Sequence, residues 1–418
     1  MKIKAIRGVK DILPPDVKKW EYLEVKAREI FETYGFSEIK IPVFEKTALF
    51  ARGIGETTDI VEKEMYTFTD KGGEEITLRP EATASIVRAY IEHNLHVSPS
   101  VVKLFCIGPM FRYERPQAGR LRQFYQINAE AFGSINPSLD AEIISMLDKY
   151  LEGLEIENRN LLVNSLGCKE CRPDFKEALT AFLGKSLDDL CTNCKNRFER
   201  NPLRILDCKE EKCKKAIKDA PRIREYICNE CDEHFKEVLN LLSGLNINYE
   251  IEDHLVRGLD YYTRTAFEIT AGGLGAQNSV AGGGRYDNLV EEIGGPPTPA
   301  IGFAIGVERL VSILNIKKDF ENNPTVFIAA LGERAEKEAV LIIDKLRSKS
   351  IASERDYDPK SLKSQMRKAD KSGAEYVLIL GDNEIEKGEI LLKNMKDGTQ
   401  EEIAIKGIED YIYNKLKK

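Results

Sequence analysis

Side chains suited to binding phosphate groups are concentrated between positions 105 and 133. Residues alternate here as in a strand, with an apolar and a polar face. The apolar face carries Tyr125, Ile127, Ala129 and Ala131, and the polar face Gln126, Asn128 and Glu130. Four arginines stand against one glutamate from 111 to 123, in a chain of formal net charge −7. A positive patch on an acidic protein indicates a phosphate-binding site, although a solvated strand face would show the same alternation.

A second candidate is the RPEAT peptide at 79–83, which a predicted hairpin delivers to the start of a helix that reaches about His93. Carboxylates and hydroxyls are favoured in a first helical turn for purely local reasons. The alternative is functional, in that Glu81 and Thr83 form an acceptor pair for an ammonium group.

Two glycine-containing peptides follow, RGLDYYTRTAFE at 257–268 and AGGGRYD at 281–287. Their glycines would let the backbone approach a ligand closely. We expect Gly302 and Gly306 to lie one helical turn apart, leaving a small-residue face beside Arg309. That arginine can reach a phosphate or lie over a purine ring. A glycine-rich strand and a packed helix are the structural alternative.

Eight of the nine cysteines fall between 167 and 242. Cys168, Cys171, Cys191 and Cys194 form two C-x-x-C pairs with 19 residues between them, a spacing typical of a four-thiolate zinc site. The other four could form a second site: Cys208, Cys213, Cys228 and Cys231. We hypothesise at least one structural zinc, remote from the chemistry. Reduced thiols in a helical insert are the alternative.

The helices and strands that position these groups are predicted from the spacing of apolar residues and from the glycines and prolines that interrupt it. Asp16 begins a helix that stops at Gly35, and 36–44 is predicted as one strand with Pro42 at an edge or bulge. Residues 65–70 and 76–78 form a hairpin. From 105 to 133 two strands enclose a basic loop that is too long for a tight turn.

The chain divides where composition changes. Residues 1–165 and 247–320 form one predicted domain, and 166–246 a mostly helical, Cys-rich inserted subdomain. Strands alternating with helices over 325–418 predict an α/β domain with a largely parallel sheet. A basic helix is expected there from Lys360 to Ser372. Such a helix is usually a solvated face.

Composition bounds the class of protein. At 418 residues and 42% hydrophobic the chain can bury two or three domain cores, while its 31% charged residues are of mixed sign. The start lacks the apolar core of a signal peptide, and no apolar run approaches the roughly 18 residues of a membrane span. We therefore expect a soluble cytoplasmic protein whose cysteines are thiols or metal ligands.

Several of these peptides resemble the motifs of class II aminoacyl-tRNA synthetases. The basic hairpin, with Phe111-Arg112-x-Glu114 and Arg122-x-Phe124, is similar to motif 2. The first helix and the strand with its internal proline resemble motif 1, and the peptide 302–310 resembles motif 3. RGLDYYTRTAFE and AGGGRYD look like the two signature peptides of the histidyl-tRNA synthetase family, and the RGVKDILP opening and LRPEAT also fit.

This resemblance implies an α+β catalytic domain with a mainly antiparallel sheet flanked by helices. It further implies a C-terminal anticodon-binding domain and a homodimer. The implied reaction is activation of L-histidine by ATP with Mg²⁺, then transfer of histidine to tRNA(His). Because such chemistry needs little proton transfer, the demand is on positioning and on neutralising phosphoryl charge.

The resemblance also implies roles for single residues. Arg112 and Arg257 would hold the α-phosphate as catalytic residues. The remaining ATP contacts would come from Glu114 at adenine, Arg120 at the distal phosphates, and Phe124 and Arg309 around the ring. The amino acid would be bound by Glu81, Thr83, Gln126, Glu130, Arg257, Tyr261, Tyr262 and Tyr286, with Glu130, Tyr262 and Tyr286 addressing the imidazole. Arg115 and Gln117 would meet the tRNA acceptor end and its extra 5′ guanosine.

Three alternatives stay open at this point. Arg257 could serve only as an ion-pair partner of Asp260 or Glu268. The chain could be a non-catalytic, synthetase-like regulatory subunit of histidine biosynthesis, a class that lacks the RGLDYY peptide and the C-terminal domain. It could also be a synthetase for another amino acid, which the amino acid that stimulates ATP–pyrophosphate exchange would reveal.

Overall fold

The computed structural model describes residues 3–55, 58–117, 119–274, 278–315, 323–358 and 361–417. Contacts between residues divide the chain into two compact units, 1–318 and 319–418. Among the helices in the described ranges, none combines the length and apolarity needed to cross a membrane.

The first unit contains eleven strands and ten α-helices within its described residues. The strands are β1 (Ser37–Glu38), β2 (Phe44–Lys46), β3 (Tyr66–Thr69), β4 (Glu75–Leu78), β5 (Val102–Phe111), β6 (Gln123–Phe132), β7 (Arg159–Ser165), β8 (Glu250–Ile251), β9 (Thr263–Ala271), β10 (Ser279–Arg285) and β11 (Ala300–Gly306). The helices are α1 (Asp16–Thr33), α2 (Thr47–Ile54), α3 (Thr83–Glu92), α4 (Pro137–Gly153), α5 (Arg172–Gly184), α6 (Thr192–Arg200), α7 (Glu211–Ile217), α8 (Asn229–Gly244), α9 (Leu289–Glu292) and α10 (Val307–Ile313).

An eight-stranded sheet organises this unit, in the order β1-β5-β6-β11-β10-β9-β7-β8. Only the two edge pairs, β1 with β5 and β7 with β8, are parallel. The other pairs run antiparallel. The α+β class with a mainly antiparallel sheet is therefore confirmed.

The apolar face of the sheet is covered by helices. Ile127, Ala129 and Ala131 of β6 are buried in one core with α1, α4 and α8. Phe31 of α1 is central to this core, and its ring centroid lies 5.6 Å from that of Phe105 on β5. Burial of such a side chain contributes about 1.5–3 kcal/mol to folding. With one face filled, the polar face of β6 is left for the site.

The segment 36–44 does not form the single strand that its sequence predicted. Ser37–Glu38 pairs with β5 in the large sheet, whereas Phe44–Lys46 joins a three-stranded sheet in the order β2-β4-β3. Proline cannot donate to a strand ladder, so pairing is interrupted around Pro42. The carbonyls of Ile41 and Pro42 instead accept from Arg79 Nη1, at 2.7 and 3.1 Å.

Gly302 and Gly306 belong to strand β11, so their predicted placement on a helix is wrong. The helix begins only at Val307. Gly302 faces Glu130 of the neighbouring strand, and a Cβ at Gly302 would overlap the Glu130 carboxylate. Glycine is required here because a neighbouring strand places a carboxylate against it, and the spacing of the two glycines gives no sign of this.

The residues between β7 and β8 form a helical insert that contains α5 to α8. Helix α8 packs on α4, where His234 Nε2 lies 2.9 Å from Asp140 Oδ2. The same carboxylate oxygen accepts from Thr265 Oγ1 at 2.6 Å on β9. This buried network links the insert, the helical layer and the sheet.

The second unit contains a five-stranded sheet in the order β13-β12-β14-β15-β16. Its elements are β12 (Val326–Leu331), α11 (Glu333–Ser348), β13 (Ser353–Arg355), α12 (Leu362–Lys371), β14 (Tyr376–Gly381), α13 (Asp382–Lys387), β15 (Glu389–Asn394), β16 (Gln400–Ala404) and α14 (Ile408–Leu416).

This sheet is mixed, which corrects the prediction of a largely parallel one. β13, β12 and β14 are parallel, but β15 and β16 run antiparallel. A short connection at 395–399 joins β15 to β16, and a link of that length permits only an antiparallel pair. The basic helix is α12, with Lys363, Arg367 and Lys371 exposed; Lys360, where we expected it to start, lies outside the described residues.

Candidate active site

A cavity of about 690 Å³ opens on the polar face of the large sheet, a volume typical of small-molecule sites. It is lined by all thirteen residues that the sequence predicted for ATP and histidine: Glu81, Thr83, Arg112, Glu114, Arg120, Phe124, Gln126, Glu130, Arg257, Tyr261, Tyr262, Tyr286 and Arg309. These residues come from distant parts of the chain, and the sheet brings them to one place.

One part of the cavity is rich in arginine. Arg112 Nε donates to the carbonyl of Pro80 at 2.9 Å, and its guanidinium lies 5.2 Å from the Phe124 ring centroid. Arg120 pairs with Glu114 at 3.1 Å. Burial, and the positive charge of Arg120 nearby, lower the pKa of the Arg309 guanidinium. Such crowding of like charges favours an anionic ligand.

Arg257 lies on an irregular segment, since the strand before it covers only Glu250–Ile251. Its guanidinium packs over Gly282 of β10, where a Cβ would overlap it. Arg257 forms an ion pair with Glu268, which is one of the two ion pairs proposed from the sequence as a purely structural role. The Arg257 Nε atom is buried without a hydrogen-bond partner, and the side chain is 19% exposed. The arginine thus has donor capacity beyond its ion pair.

Another part of the cavity is built around Glu130. Thr83 Oγ1 donates to Glu130 Oε1 at 2.6 Å, and the Tyr286 hydroxyl donates to the other oxygen. Burial raises the pKa of Glu130 from its ordinary value near 4.5 to about 8. Its carboxyl group therefore carries a proton near neutrality, and transfer of that proton to a basic ligand would leave a charge-assisted pair.

Glu81 caps helix α3. Its oxygens accept from the backbone N–H groups of Thr83 and Ala84, at 2.7 and 2.8 Å, so the local interpretation of this residue is correct. It also lines the cavity, and carboxylate oxygens can each accept a second hydrogen bond. Burial raises the pKa of Glu81. The structural contact and ligand binding are therefore compatible.

Two amides of β6 have unsatisfied polar atoms inside the cavity. Gln126 Oε1 and Asn128 Nδ2 are buried without a hydrogen-bond partner. Buried polar atoms in native proteins nearly always have a partner. An acceptor and a donor left open beside Glu130 therefore indicate a polar ligand.

Three tyrosines close this end of the cavity. The ring centroid of Tyr261 lies 4.7 Å from that of Tyr262 and 5.5 Å from that of Tyr286. Burial raises the pKa of all three hydroxyls, so they remain neutral donors. Aromatic walls with hydroxyl groups suit a flat polar ring.

Sequence reasoning missed several lining residues, among them Glu64, Asn128 and Glu308. The alternation of β6 placed Asn128 correctly, but no function was given to it. Burial raises the pKa of Glu308 to about 7, and its carboxylate accepts from the backbone N–H of Tyr125 at 2.9 Å. Glu308 directly precedes Arg309 in the 302–310 peptide, so its position in that motif could have identified it, whereas nothing near Glu64 in the sequence distinguishes it from a surface glutamate.

The basic loop between β5 and β6 holds the two residues predicted to meet a tRNA end. Arg115 and Gln117 are exposed, and neither lines the cavity. Gln117 forms a bridge with Arg120, whose side chain does line it. The loop thus joins the cavity to the surface.

The cysteines form two groups, but the predicted grouping of Cys168 and Cys171 with Cys191 and Cys194 is wrong. In each group the sulfur atoms lie within 4.8 Å of one another: Cys168, Cys171, Cys228 and Cys231 in group A, and Cys191, Cys194, Cys208 and Cys213 in group B. Pairs that are near in sequence were assumed to share a site, whereas the helices bring the first pair to the last. Group B is also not remote from the cavity, because Cys191 and Cys208 line it.

Comparison with known proteins agrees with this geometry. The family model "Histidyl-tRNA synthetase" matches residues 8–310, and "Anticodon binding domain" matches residues 325–415. A histidine–tRNA ligase of Syntrophotalea carbinolica is 51% identical over 417 residues, covering 100% of both chains. That of Desulfatibacillum aliphaticivorans is 54% identical over 98% of each.

Among solved structures, apo histidyl-tRNA synthetase of S. aureus superposes with a TM-score of 0.83. It is 38% identical in sequence, and the match covers 99% of this chain and 100% of the other. Sequence and structure therefore agree over essentially the whole length. This chain belongs to the histidyl-tRNA synthetase family.

Proposed function

We propose that this protein is a histidine–tRNA ligase. It activates L-histidine with ATP to histidyl-adenylate, releases pyrophosphate, transfers histidine to the 3′ end of tRNA(His) and releases AMP. The observation that carries the proposal is the cavity, where an arginine-rich part adjoins a pocket of buried carboxyl groups, amides and tyrosines. Full-length relatives named histidine–tRNA ligase favour this function over the regulatory alternative.

The arginine-rich part binds ATP. Arg112 and Arg257 hold the α-phosphoryl oxygens as the carboxylate of histidine attacks. Arg120 holds the outer phosphates, Glu114 reads the adenine, and Arg309 stacks on the ring opposite Phe124. Arginines suit these roles because their planar forks of donors stay charged.

Mg²⁺ bound with ATP would neutralise charge on the outer phosphates. Hard cations take oxygen ligands, and the carboxylates of Glu64 and Glu114 line the cavity together with Arg112 and Arg120. Burial raises the pKa of the Glu64 carboxyl, and the positive charge of Arg112 nearby opposes that shift. The residues present therefore fit a phosphate-bound cation.

The carboxyl-lined pocket binds histidine. Glu81, Thr83 and the open oxygen of Gln126 take the ammonium group, and Tyr261 closes the pocket beside them. Glu130, Tyr262 and Tyr286 address the imidazole. A neutral imidazole has one donor and one acceptor nitrogen, so a carboxyl group and a phenol satisfy both.

The remaining parts handle tRNA and assembly. The second unit binds the anticodon, and the exposed basic residues of α12 suit a phosphate backbone.

The β2-β4-β3 sheet offers a surface for a homodimer. Three apolar side chains near it are exposed, namely Val43, Phe44 and Phe68, and a dimer interface would bury them. A monomeric mass by light scattering would contradict the dimer. Domain limits at 1–165 with 247–320, 166–246 and 325–418, and a cytoplasmic location, stay predictions.

Charging of purified tRNA transcripts tests the transfer step. We expect this protein to esterify histidine to tRNA(His) that carries the extra 5′ guanosine. Removal of that nucleotide from the transcript should lower the rate strongly. Failure to charge any tRNA, with pyrophosphate exchange intact, would remove the second half of the proposal.

Arg115→Ala should separate the two half-reactions. Arg115 is exposed in the basic loop and lies outside the cavity, so it can meet the tRNA end without touching ATP. We expect slower transfer to tRNA(His) with nearly unchanged adenylate formation, measured by single-turnover transfer and by pyrophosphate exchange. Equal losses in both assays would show that the loop serves the first step instead.

A further inference from the structure

We propose that the two cysteine groups each hold one zinc ion, and that the two ions position the 257–262 peptide that carries Arg257. Four sulfur atoms in each group lie within 4.8 Å of one another. The catalytic half of this inference rests on the proposed function, whereas metal binding does not.

The spacing of the sulfur atoms fits a single tetrahedral ion. Zinc–thiolate bonds of about 2.3 Å place neighbouring sulfurs about 3.8 Å apart. In group A the Cys168–Cys171 and Cys171–Cys231 distances are 3.5 and 3.9 Å, and in group B the Cys191–Cys208 distance is 3.9 Å. Disulfide sulfurs are bonded at about 2.05 Å, and all these cysteines are free. An iron–sulfur cluster would hold its thiolates further apart, on different irons.

Local structure also favours thiolates. Cys171, Cys191 and Cys228 are the residues that precede helices α5, α6 and α8. Helix N-termini stabilise negative charge. In addition, the backbone N–H of Cys228 donates to Cys171 Sγ at 3.1 Å, and that of Cys191 donates to Cys213 Sγ at 3.2 Å. Such donors are typical of metal-bound sulfur.

Group A joins the start of the insert to its last helix. Cys168 and Cys171 follow β7, and Cys228 and Cys231 stand where α8 begins. Gly167 has a φ of +63°, and a Cβ there would lie 2.7 Å from the Cys171 Cβ, so glycine is needed for the chain to turn into the group. An ion here ties the entry of the insert to its last helix.

The segment 257–262 has neither helical nor strand structure, so most of its carbonyls depend on other partners. The insert supplies them. Arg204 Nη1 donates to the carbonyl of Gly258 at 2.7 Å. Arg172 donates to the carbonyls of Tyr262 and, at 3.4 Å, Asp260. The peptide is therefore held by two arginines of the insert.

Both arginines belong to segments that the cysteine groups hold. Arg172 directly follows Cys171 of group A. Arg204 lies between Cys194 and Cys208 of group B, together with Asn201, whose Nδ2 donates to Asp260 Oδ1 at 2.9 Å. Arg197, in the same stretch, pairs with Asp59 on the cavity wall. Loss of either ion would free an anchor of the segment that holds Arg257.

Metal analysis of the wild-type protein and of three cysteine variants tests whether each group holds a zinc ion. Wild-type protein purified without chelator should contain two zinc ions per chain. Cys194→Ser and Cys231→Ser should each retain one. Cys106→Ser is the matched control, because Cys106 is buried in β5 outside both groups, and it should retain two. Iron in place of zinc, or no metal, would overturn the assignment.

The positioning role has its own readouts. Arg204→Ala should retain both zinc ions, yet lose up to about 100-fold in histidine-dependent pyrophosphate exchange, since misplacement of a catalytic group by about 1 Å has that effect. Amide hydrogen exchange over 257–262 should speed up in Arg204→Ala and in the folded cysteine variants, but not in Cys106→Ser. If a cysteine variant fails to fold, the Arg204→Ala variant alone tests the positioning role.

Unchanged exchange kinetics and unchanged amide protection in Arg204→Ala would overturn the positioning role, while the zinc content could still stand. Conversely, wild-type protein with two zinc ions but no histidine-dependent exchange would contradict the proposed function and leave the metal assignment intact. The two failures are therefore distinguishable.

Discussion

Arg257→Ala should slow histidyl-adenylate formation by about 10²–10³-fold, the usual effect of losing one preorganised donor to a transition state. The guanidinium lies in the cavity over Gly282, and its Nε has no hydrogen-bond partner, so it can donate to phosphoryl oxygens. Because the arginine is proposed to bind charge that develops during attack, kcat should fall more than histidine affinity. Stopped-flow or pyrophosphate-exchange kinetics measure both.

The ion pair of Arg257 with Glu268 gives a structural explanation that must be separated from catalysis. Arg224→Ala is a matched control, because it removes an arginine–carboxylate pair with Asp253 on the approach to the same peptide, outside the cavity. We expect its exchange rate to stay near wild type. If Arg257→Ala is unfolded, its role is structural. A folded variant with undiminished exchange would remove Arg257 from the mechanism.

Glu130→Gln should weaken histidine binding far more than ATP binding. The change keeps the shape of the side chain but removes the charge-assisted partner of the imidazole. Hydrogen bonds to charged groups contribute about 1.5–3 kcal/mol, so we expect a loss of roughly 10- to 100-fold in histidine affinity. Calorimetric titration with each substrate tests this. A loss that falls mainly on ATP would show that Glu130 faces a different ligand.

The same variant should change how stability depends on pH. The pKa of Glu130 is raised from about 4.5 to about 8, so the folded protein binds more protons than the unfolded chain between those values. Its contribution to the unfolding free energy is therefore fully present below pH 4.5 and falls as pH rises towards 8. Glu130→Gln should remove this slope, which is at most about 1.4 kcal/mol per pH unit. Denaturant unfolding of both proteins at several pH values measures the difference.

Patterns within one element allowed much of the site to be predicted. Period-two alternation placed Gln126, Asn128 and Glu130 on the cavity face of β6, and the basic loop was found from charge alone. Both features are local, because a strand's faces and a loop's composition are set by neighbouring residues. The family motifs supplied the other predicted cavity residues, but not Glu64 or Glu308.

Contacts between distant segments could not be predicted. Gly302 was placed on a helix because its spacing from Gly306 fits one turn, whereas its real constraint is Glu130 on the next strand. Cys171 was paired with Cys191, although its partner Cys231 lies 60 residues away. Which helices fold back on which depends on packing of the whole insert, and a single sequence does not encode that in any short window.

Pyrophosphate exchange, measured with each of the twenty amino acids, tests the central claim most directly. Sites built to hydrogen-bond a substrate's polar atoms reject analogues that lack them by roughly 10⁴-fold or more. We therefore predict strong ATP–pyrophosphate exchange with histidine and only background with the others. Stimulation by a different amino acid, or by none while the protein is folded and binds ATP, would contradict the assignment of the cavity to histidine.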